Sequence, residues 1–404
     1  MSTALSQRLR DQLAFAYENA PAVRQMMDGA GVHPSDIQTA EDLGRIPVTS
    51  KDRLIEMQQS NPPFGGFLAV DLDTLPRIYI SPGPIYDPQR PNEQAAGGIE
   101  ALKVAGFGKG DRVINTFMYH LTPAGLLMDE GIRAAGCTVI PTGPGNSELQ
   151  VTLIDTLQVT GYVGTPSFLA TLFDLAIRQG HDPRQMSLKK AFFTAEPYTP
   201  SMRARFEGEY GMKTTNAYGT ADLGFIGFSV ADVPGFCISE DVHIEIADPK
   251  TGQPLPAGEI GEIVVTTFNN TYALVRFGTG DLGALAPEAH AACEGRQQLL
   301  GLYGRSGEAI KVRGMFLHPN QIHMAVMKVP EIKYAQAVIT RMGNRDHVTL
   351  RVQLKPEYAG VSVGEALKQH IQTTARLKVD DVQVVEAGVI DPAQRMVRDE
   401  RKWD

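Results

Sequence analysis

The sequence is poor in cysteine and has no long apolar run. It contains three cysteines among 404 residues, Cys137, Cys237 and Cys293, which are widely spaced and odd in number. A disulfide framework is therefore not expected, and reduced cytoplasmic thiols are the simplest interpretation. No stretch approaches the ~18 consecutive apolar residues of a membrane-spanning helix, and the N-terminus lacks the apolar core of a signal peptide. The sequence predicts a cytoplasmic protein with no membrane partner.

An excess of positive charge is also missing. The chain has 38 basic and 46 acidic residues and a formal net charge of -8. Because such a surface repels a phosphate backbone, no nucleic-acid partner is expected. A polyanionic cofactor such as ATP or CoA would need a local cationic pocket. The composition, 43% hydrophobic and 21% charged, is that of an ordinary soluble globular protein, long enough for two domains.

The middle of the chain alternates between short apolar runs and helical stretches. The runs lie at 112–115, 137–140, 161–164 and 190–193, and the helical stretches at 123–135, 147–157 and 167–179. This alternation predicts a layered α/β fold with a mostly parallel sheet. Ligand sites in such sheets form in the loops after the strands, which draws attention to residues 81–90, 141–146, 194–197 and 216–222.

The last part of the chain has different patterns. Residues 241–246 and 261–267 alternate with period two, which predicts an antiparallel hairpin or small barrel. After Gly304, short strands and helices near 319–328 and 361–377 predict a smaller α+β domain. We therefore predict a large domain at 1–303, with the barrel-like part inside it, and a small domain at 304–404.

Five segments are informative as an ordered set. They are 16–51, Phe192–Pro197, Tyr218–Asp222, Leu274–Leu282 and Gly304–Ile322. In this order they resemble the phenylacetate–CoA ligase branch of the adenylate-forming superfamily. The resemblance implies a large α/β domain with a small mobile C-terminal domain, and an AMP-forming acid–CoA ligase that uses ATP, CoA and Mg²⁺. It also implies a homodimer and a small carboxylic acid as substrate.

The resemblance assigns nucleoside-binding roles to residues of three segments. Asp281 would accept hydrogen bonds from both ribose hydroxyls, although a turn-capping aspartate would fit the surrounding glycines. Arg305 would add a contact to the ribose or to a phosphate. Arg313 is also predicted to bind the cofactor. Tyr218 would lie against the adenine, unless it is a core tyrosine. The adenine slot would be formed by Ala195, Glu196, Pro197, Asn216, Ala217, Tyr218 and Gly219.

The resemblance also implies catalytic and acyl-binding residues. Thr220 would donate its hydroxyl to the α-phosphate, and Asp222 stands where the family has a Mg²⁺-binding glutamate. Arg395 is the best replacement for the family's C-terminal lysine, or else part of a solvated charged tail. The acid would be bound by Phe117, Tyr119, His120 and Gly143, although Phe117 also suits the core and His120 a simple loop.

The phosphate loop departs from the family pattern. At 81–90, where the family has a glycine-rich loop ending in Gly-Lys-Pro, this chain has Pro82, Pro84 and Pro88 and carries Asp87 near the lysine position. Each proline removes a backbone donor, and Asp87 replaces attraction for phosphate by repulsion. Arg77 or Arg90 could compensate.

Two smaller departures lie further along the chain. Gly307 stands near the family's hinge aspartate, which leaves rotation of the small domain allowed. A metal site of Cys237, His290 and Cys293 is disfavoured against buried thiols, because the spacing is irregular.

Two functions from different classes therefore stay open. The first is an ATP-dependent acid–CoA ligase, favoured by the retained nucleoside-binding segments. The second is a non-adenylating member that binds AMP, CoA or acyl-CoA, with a regulatory role or altered thioester chemistry. The altered phosphate loop and the missing C-terminal lysine favour the second.

Overall fold

The chain divides into two compact units. This computed structural model describes residues 3–81, 85–90, 96–230, 233–306, 310–313, 315–317, 319–375, 377–392 and 394–402. Unit 1 comprises residues 1–306 and unit 2 residues 307–404. All described residues that the sequence assigns to nucleoside and acid binding lie in unit 1, except Arg313 and Arg395.

The helices of unit 1 begin where the sequence supplies capping residues or proline. Ser50 caps one helix by accepting a hydrogen bond from the Arg53 amide at 3.2 Å, and Pro123 and Pro166 stand in the first turns of two others. The helices are α1 (Thr3–Asn19), α2 (Pro21–Gly29), α3 (Lys51–Ser60), α4 (Ala96–Val104), α5 (Pro123–Ala134), α6 (Ser147–Thr156), α7 (Pro166–Arg178) and α8 (Pro200–Arg203).

Twelve strands form the large sheet in the described part of unit 1. The strands of unit 1 are β1 (Thr49–Ser50), β2 (Ile78–Ser81), β3 (Ile85–Pro88), β4 (Arg112–Asn115), β5 (Thr138–Ile140), β6 (Gly161–Gly164), β7 (Lys190–Phe193), β8 (Lys213–Thr220), β9 (Gly224–Phe228), β10 (Phe236–Ile238), β11 (Val242–Ala247), β12 (Gly261–Thr267), β13 (Phe277–Leu285) and β14 (Gln298–Arg305). Strands β2 and β3 form a separate hairpin.

The predicted parallel α/β sheet is confirmed. Strands β5, β4, β6, β7 and β8 are neighbours in that order and pair in parallel. Their carboxyl ends therefore meet at one edge of the sheet, where the loops after Asn115, Ile140, Phe193 and Thr220 lie.

The predicted antiparallel hairpin is β11 paired with β12. It is continuous with the large sheet, because β13, β14, β10 and β9 pair in series between β12 and β8. The register of the β13–β14 pair sets Asp281 on β13 opposite Arg305 on β14. The sheet thus brings together two residues that the sequence assigned to nucleotide binding.

A buried arginine ties the N-terminal segment to this sheet. Arg276 is 1% exposed, and it pairs with Glu245 at 3.0 Å. It also donates hydrogen bonds to the carbonyl oxygens of Ile46 and Gly252. Each of the three guanidinium nitrogens thus donates to an oxygen, which compensates the buried charge. The contact to Ile46 fixes the chain just before Thr49, and β1 then pairs in parallel with β13.

Unit 2 has its own core under a four-stranded sheet. Its elements are β15 (Ile310–Val312), β16 (Met315–Leu317), α9 (Pro319–Val326), β17 (Ile332–Met342), β18 (Arg345–Leu354), α10 (Gly364–Ala375), β19 (Asp381–Val384) and β20 (Val397–Asp399). Part of the segment considered above as a solvated tail is ordered in the sheet, because β20 pairs in parallel with β17, whereas Arg395 before it is exposed. Arg401, 9% exposed in its side chain, pairs with Asp346 at 3.0 Å.

The expectation of three reduced thiols is wrong. Cys237 on β10 and Cys293, just before β14, form a disulfide across 56 residues of sequence, and Cys137 alone is a free, buried thiol. Sequence spacing does not report this contact, because pairing of β10 with β14 creates it. The disulfide removes the thiol-based argument for a reducing compartment. It also leaves neither cysteine for a metal with His290.

Two further findings concern membranes and metals. Within the ranges given above, no helix has the length and apolar character needed to cross a bilayer. The same residues contain no group of three or more His, Cys, Asp or Glu side chains arranged to hold a metal ion.

The disulfide predicts a response to reductant. Reduction should lower the free energy of unfolding by about 2–4 kcal/mol, because the bond restricts a long loop of the unfolded chain. The measurement is denaturant unfolding with and without reductant. The double variant C237A/C293A should lose the response and C137S should keep it. Alkylation of all three cysteines in denatured, unreduced protein would contradict the pairing.

Candidate nucleotide site

The predicted ribose-binding aspartate is held by two partners. The Tyr218 hydroxyl donates a hydrogen bond to one Asp281 carboxylate oxygen at 2.9 Å, and Arg305 contacts the other at 3.2 Å. The side chains of Asp281 and Arg305 keep 17% and 19% exposure, so the carboxylate can be reached. The buried Tyr218 hydroxyl has a pKa well above its usual value, because of burial and of the Asp281 charge, and it stays a neutral donor.

The structure places Tyr218 in the core and its hydroxyl on Asp281. Tyr218 is 6% exposed and packs in the core against Phe236, as the core interpretation expected. Its hydroxyl nevertheless aligns the Asp281 carboxylate. Tyr218 therefore positions the carboxylate through its hydroxyl end while its ring stabilises the fold.

The loop after β8 is shaped by glycine and a threonine. A Cβ on Gly219 would lie 2.6 Å from the carbonyl oxygen of Gly224, so no larger residue fits the turn. The Thr220 hydroxyl oxygen accepts a hydrogen bond from the Leu223 amide at 3.3 Å. That bond uses an acceptor lone pair and leaves the hydroxyl proton available for a ligand. Thr220 and Asp222 therefore lie on one short, fixed turn.

The other predicted adenine residues lie on the neighbouring strand ends. Ala195 has a positive φ of 75°, a conformation that is rare outside glycine and that redirects the chain after β7. The Glu196 carboxylate accepts a hydrogen bond from the Ser167 amide at the start of α7, at 3.4 Å.

Pro197 is exposed, and Ala217 on the neighbouring strand is buried. Asn216 is tied through its backbone to Ser229. Strands β7 and β8 pair directly, with Phe193 opposite Asn216, so these residues lie side by side.

Asp222, the predicted metal ligand, forms an ion pair with a lysine. The Lys51 ammonium lies 2.7 Å from Asp222 Oδ2, and the two side chains are 10% and 0% exposed. Lys51 is the first residue of α3, directly after β1. No sequence pattern indicated this pair, since its members are far apart in the chain and meet only through folding.

Asp87 belongs to the same buried group. It is 4% exposed, and the Ser81 hydroxyl donates a hydrogen bond to it across the β2–β3 hairpin. Burial raises the pKa of Asp87 well above its usual value, the neighbouring Asp222 charge adds to this, and Ser81 and Lys51 oppose it. This raised pKa favours the protonated carboxyl, and it weakens the repulsion of phosphate that was expected from the sequence position of Asp87.

Three of the predicted acid-binding residues are hydrogen-bonded to one residue, Asn115. Its side chain, fully buried at the end of β4, donates to the Tyr119 hydroxyl at 2.8 Å and accepts from the Phe117 amide at 3.2 Å. Its backbone carbonyl oxygen accepts from the Gly143 amide at 3.1 Å. Phe117 is buried, as a core role requires, and His120 is exposed. Asn115 was not among the predicted site residues, although its place after a parallel strand was the available signal.

Comparison with known proteins identifies the family. Residues 118–271 match the model for AMP-binding enzymes. The chain is 31% identical to a phenylacetate–coenzyme A ligase of Aromatoleum evansii over 97% of this chain and 92% of the relative. It is 33% identical to one of Pseudomonas putida over 89% and 83%, and to one of Thermus thermophilus over 87% and 81%.

The chain belongs to the phenylacetate–CoA ligase family of AMP-binding enzymes. Membership places it among the AMP-forming acid–thiol ligases.

Solved structures agree on the fold of this family. A structure of 2-hydroxyisobutyryl-CoA ligase with 2-HIB-AMP and CoA has a TM-score of 0.91 at 24% identity, covering 99% of this chain and 89% of the other. A second structure of that ligase, with R3-HIB-AMP, has a TM-score of 0.72 at 25% identity. The predicted α/β fold class is confirmed.

Family members are expected to use Mg²⁺, but the residues at Asp222 do not fit a directly bound ion. Mg²⁺ requires several oxygen ligands in near-octahedral geometry, whereas Asp222 is fully enclosed and paired with Lys51. A divalent ion about 4 Å from the ammonium would be repelled by roughly 8 kcal/mol at an effective dielectric near 20. The role of Asp222 as a metal ligand is therefore not supported by its surroundings.

The remaining predicted residues lie in unit 2, in the segment before β2, or outside the described ranges. Arg313 is committed within unit 2, where it donates to the backbone of Asp346 and Lys378 and pairs with Asp380. Arg395 is exposed, and its carbonyl oxygen accepts from Gln336 at 3.0 Å. Arg77 pairs with Glu130 at 2.6 Å and donates to the Gln89 side chain at 2.7 Å. Pro82, Gly83, Pro84 and Gly307 lie outside the described residues.

Removing the Asp87 carboxyl should change how stability depends on pH. Because its folded pKa is raised above the unfolded value, its contribution is fully present near pH 4 and is lost as the pH rises through the folded pKa. D87N should therefore gain stability relative to the unmodified protein between about pH 5 and pH 8, by about 1–3 kcal/mol. The measurement is denaturant unfolding at both pH values.

The matched control is D182N. The Arg184 guanidinium lowers the pKa of Asp182, so this carboxylate is charged throughout the window and its replacement should give no pH-dependent difference. If the stability difference between D87N and the unmodified protein were equal at both pH values, the raised pKa of Asp87 would be contradicted.

Asp281 should control nucleotide affinity. D281N loses the charge that would accept two ribose hydrogen bonds, each charge-assisted, so AMP affinity should fall about 10- to 100-fold. Isothermal titration calorimetry with AMP measures this, and the surface variant D182N should bind as the unmodified protein does. Unchanged affinity in D281N would remove Asp281 from the ribose site.

Proposed function

We propose that the protein converts a small aryl or arylacetic acid into its CoA thioester through an acyl-adenylate. The single observation that carries this proposal is the Asp281 carboxylate, aligned by Tyr218 at 2.9 Å and by Arg305 at 3.2 Å in a family of AMP-binding enzymes. An aligned, partly exposed carboxylate suits the two vicinal hydroxyls of a ribose.

The reaction consists of two displacements. The acid's carboxylate oxygen attacks the α-phosphorus of ATP, and pyrophosphate leaves. The CoA thiolate then attacks the acyl carbon, and AMP leaves with the electron pair of the broken C–O bond. AMP is needed because a bare carboxylate would have to expel oxide. The enzyme's contribution is to orient the reactants and stabilise developing charge.

Residues of unit 1 supply these contributions. Asp281 and Arg305 hold the nucleoside, and the Thr220 hydroxyl, on its fixed turn, donates to the α-phosphate. The strand-end residues from Ala195 to Pro197 and from Asn216 to Gly219 frame the adenine. Arg395 of unit 2 is proposed for the reacting carboxylate, because the described segment 394–402 has it where the family has lysine.

An aromatic acid is favoured by two observations. The relatives named above are phenylacetate–CoA ligases at 31–33% identity. In this chain, Asn115 gathers Phe117, Tyr119 and Gly143 at one strand end. An aryl group can pack against such residues.

A second function is favoured by one specific contact. The Lys51–Asp222 pair removes the expected metal ligand, as would suit a member that binds AMP, CoA or an acyl-CoA without adenylating an acid. Its role would be regulatory or would involve altered thioester chemistry.

Carboxylate-dependent pyrophosphate exchange distinguishes these functions. The unmodified protein should incorporate labelled pyrophosphate into ATP with phenylacetate or benzoate about tenfold faster than with acetate or 2-hydroxyisobutyrate, since aryl burial adds on the order of 1–3 kcal/mol. D182N serves as the unaffected control.

Two results would count against the proposal. Fastest exchange with an aliphatic acid would overturn the aryl assignment and keep the ligase. The absence of exchange with every acid, from folded protein that binds AMP, would favour the non-adenylating function.

A further inference from the structure

The Lys51–Asp222 pair lies between the two parts of the site that hold the nucleotide. Lys51 follows β1 directly, and β1 pairs in parallel with β13 at Phe277 and Gly278, on the approach to Asp281. Asp222 follows Thr220 by two residues, on the turn that ends β8. One partner is thus anchored beside the ribose-binding strand and the other beside the phosphate-binding turn.

The pair also differs in character from a surface salt bridge. Its charged atoms are 2.7 Å apart, with side chains 10% and 0% exposed. Asp222 Oδ1 is buried and accepts no hydrogen bond from the part of the chain that the structure describes. Burial of a charged pair is costly unless it is well compensated, and this pair lies two residues from Thr220.

An ammonium group can bind a phosphate without the ligand set that a metal ion requires. An ammonium carries one positive charge and three N–H donors, and it needs no octahedral set of oxygen ligands. It suits the single phosphate of AMP or of an acyl-adenylate. Of the hairpin residues at 78–81 and 85–88, none is a lysine or arginine, so that hairpin adds no positive charge.

We propose that Lys51 is the resident cation of this site: it takes the place at Asp222 that a divalent ion would need, and it donates to the phosphate of a bound nucleoside monophosphate or acyl-adenylate. This inference rests on the proposed function, because it assumes that the nucleoside is held by Asp281. It assigns a nucleotide-binding role to a residue for which the family resemblance gave none.

The first experiment uses the unmodified protein. Its affinity for AMP, measured by isothermal titration calorimetry, should be the same in EDTA and in Mg²⁺. Mn²⁺, followed by electron paramagnetic resonance, should remain free in the presence of the protein–AMP complex. Mg²⁺-dependent AMP binding, or Mn²⁺ bound in that complex, would overturn the inference.

The second experiment uses charge variants with a matched control. K51M keeps the length of the side chain but lacks the ammonium, and its AMP affinity should fall about tenfold or more. K51R restores a positive charge and should recover part of that loss. The control is K190M, which breaks a comparable pair, Lys190 with Asp111 at 2.8 Å, at the opposite ends of the sheet strands. It should bind AMP as the unmodified protein does.

The outcomes separate the inference from the proposed function. If K51M binds AMP as well as K190M does, Lys51 is not the phosphate's cation, and the function stands. If the folded, unmodified protein binds no AMP in either buffer, the nucleotide site fails and the inference fails with it. Should K51M not fold, the metal experiments on the unmodified protein still decide.

Discussion

The charge balance of one buried cluster governs the phosphate side of this protein. Lys51 and Asp222 form an enclosed ion pair, and burial together with the Asp222 charge raises the pKa of the neighbouring Asp87 carboxyl well above its usual value. A second negative charge beside Asp222 would be costly. The cluster therefore favours the protonated form of Asp87. Under the proposed function this matters, because an ionised Asp87 would repel the phosphate of a bound nucleotide.

The nucleoside side depends on sheet register. Parallel strands bring the loops after β7 and β8 together, while antiparallel pairing sets Asp281 opposite Arg305. Tyr218 connects the two regions through one hydrogen bond from β8 to β13. The proposed nucleoside site thus lies where the parallel sheet changes into antiparallel strands, and strand pairing sets the positions of Asp281 and Arg305. Such preorganisation lowers the entropy lost on binding.

Much of this could be predicted from local patterns. The strands at 112–115, 161–164 and 190–193 follow from short apolar runs, and the ligand loops from their carboxyl ends. Features that depend on contacts between distant residues could not be predicted from the sequence. Lys51 meets Asp222, and Cys237 meets Cys293, only after the sheet has formed. The protonation of Asp87 depends on burial, which no residue pattern states. The charged residues after Arg395 suggested a solvated tail, yet Arg401 pairs with Asp346, with its side chain 9% exposed.

A crystal structure of the protein grown with AMP and Mg²⁺ tests the central claim most directly. The account predicts both ribose hydroxyls on the Asp281 carboxylate, the phosphate within hydrogen-bonding distance of the Lys51 ammonium, and no metal on Asp222. A Mg²⁺ ion bonded to Asp222 with Lys51 displaced, or a ribose bound away from Asp281, would contradict it.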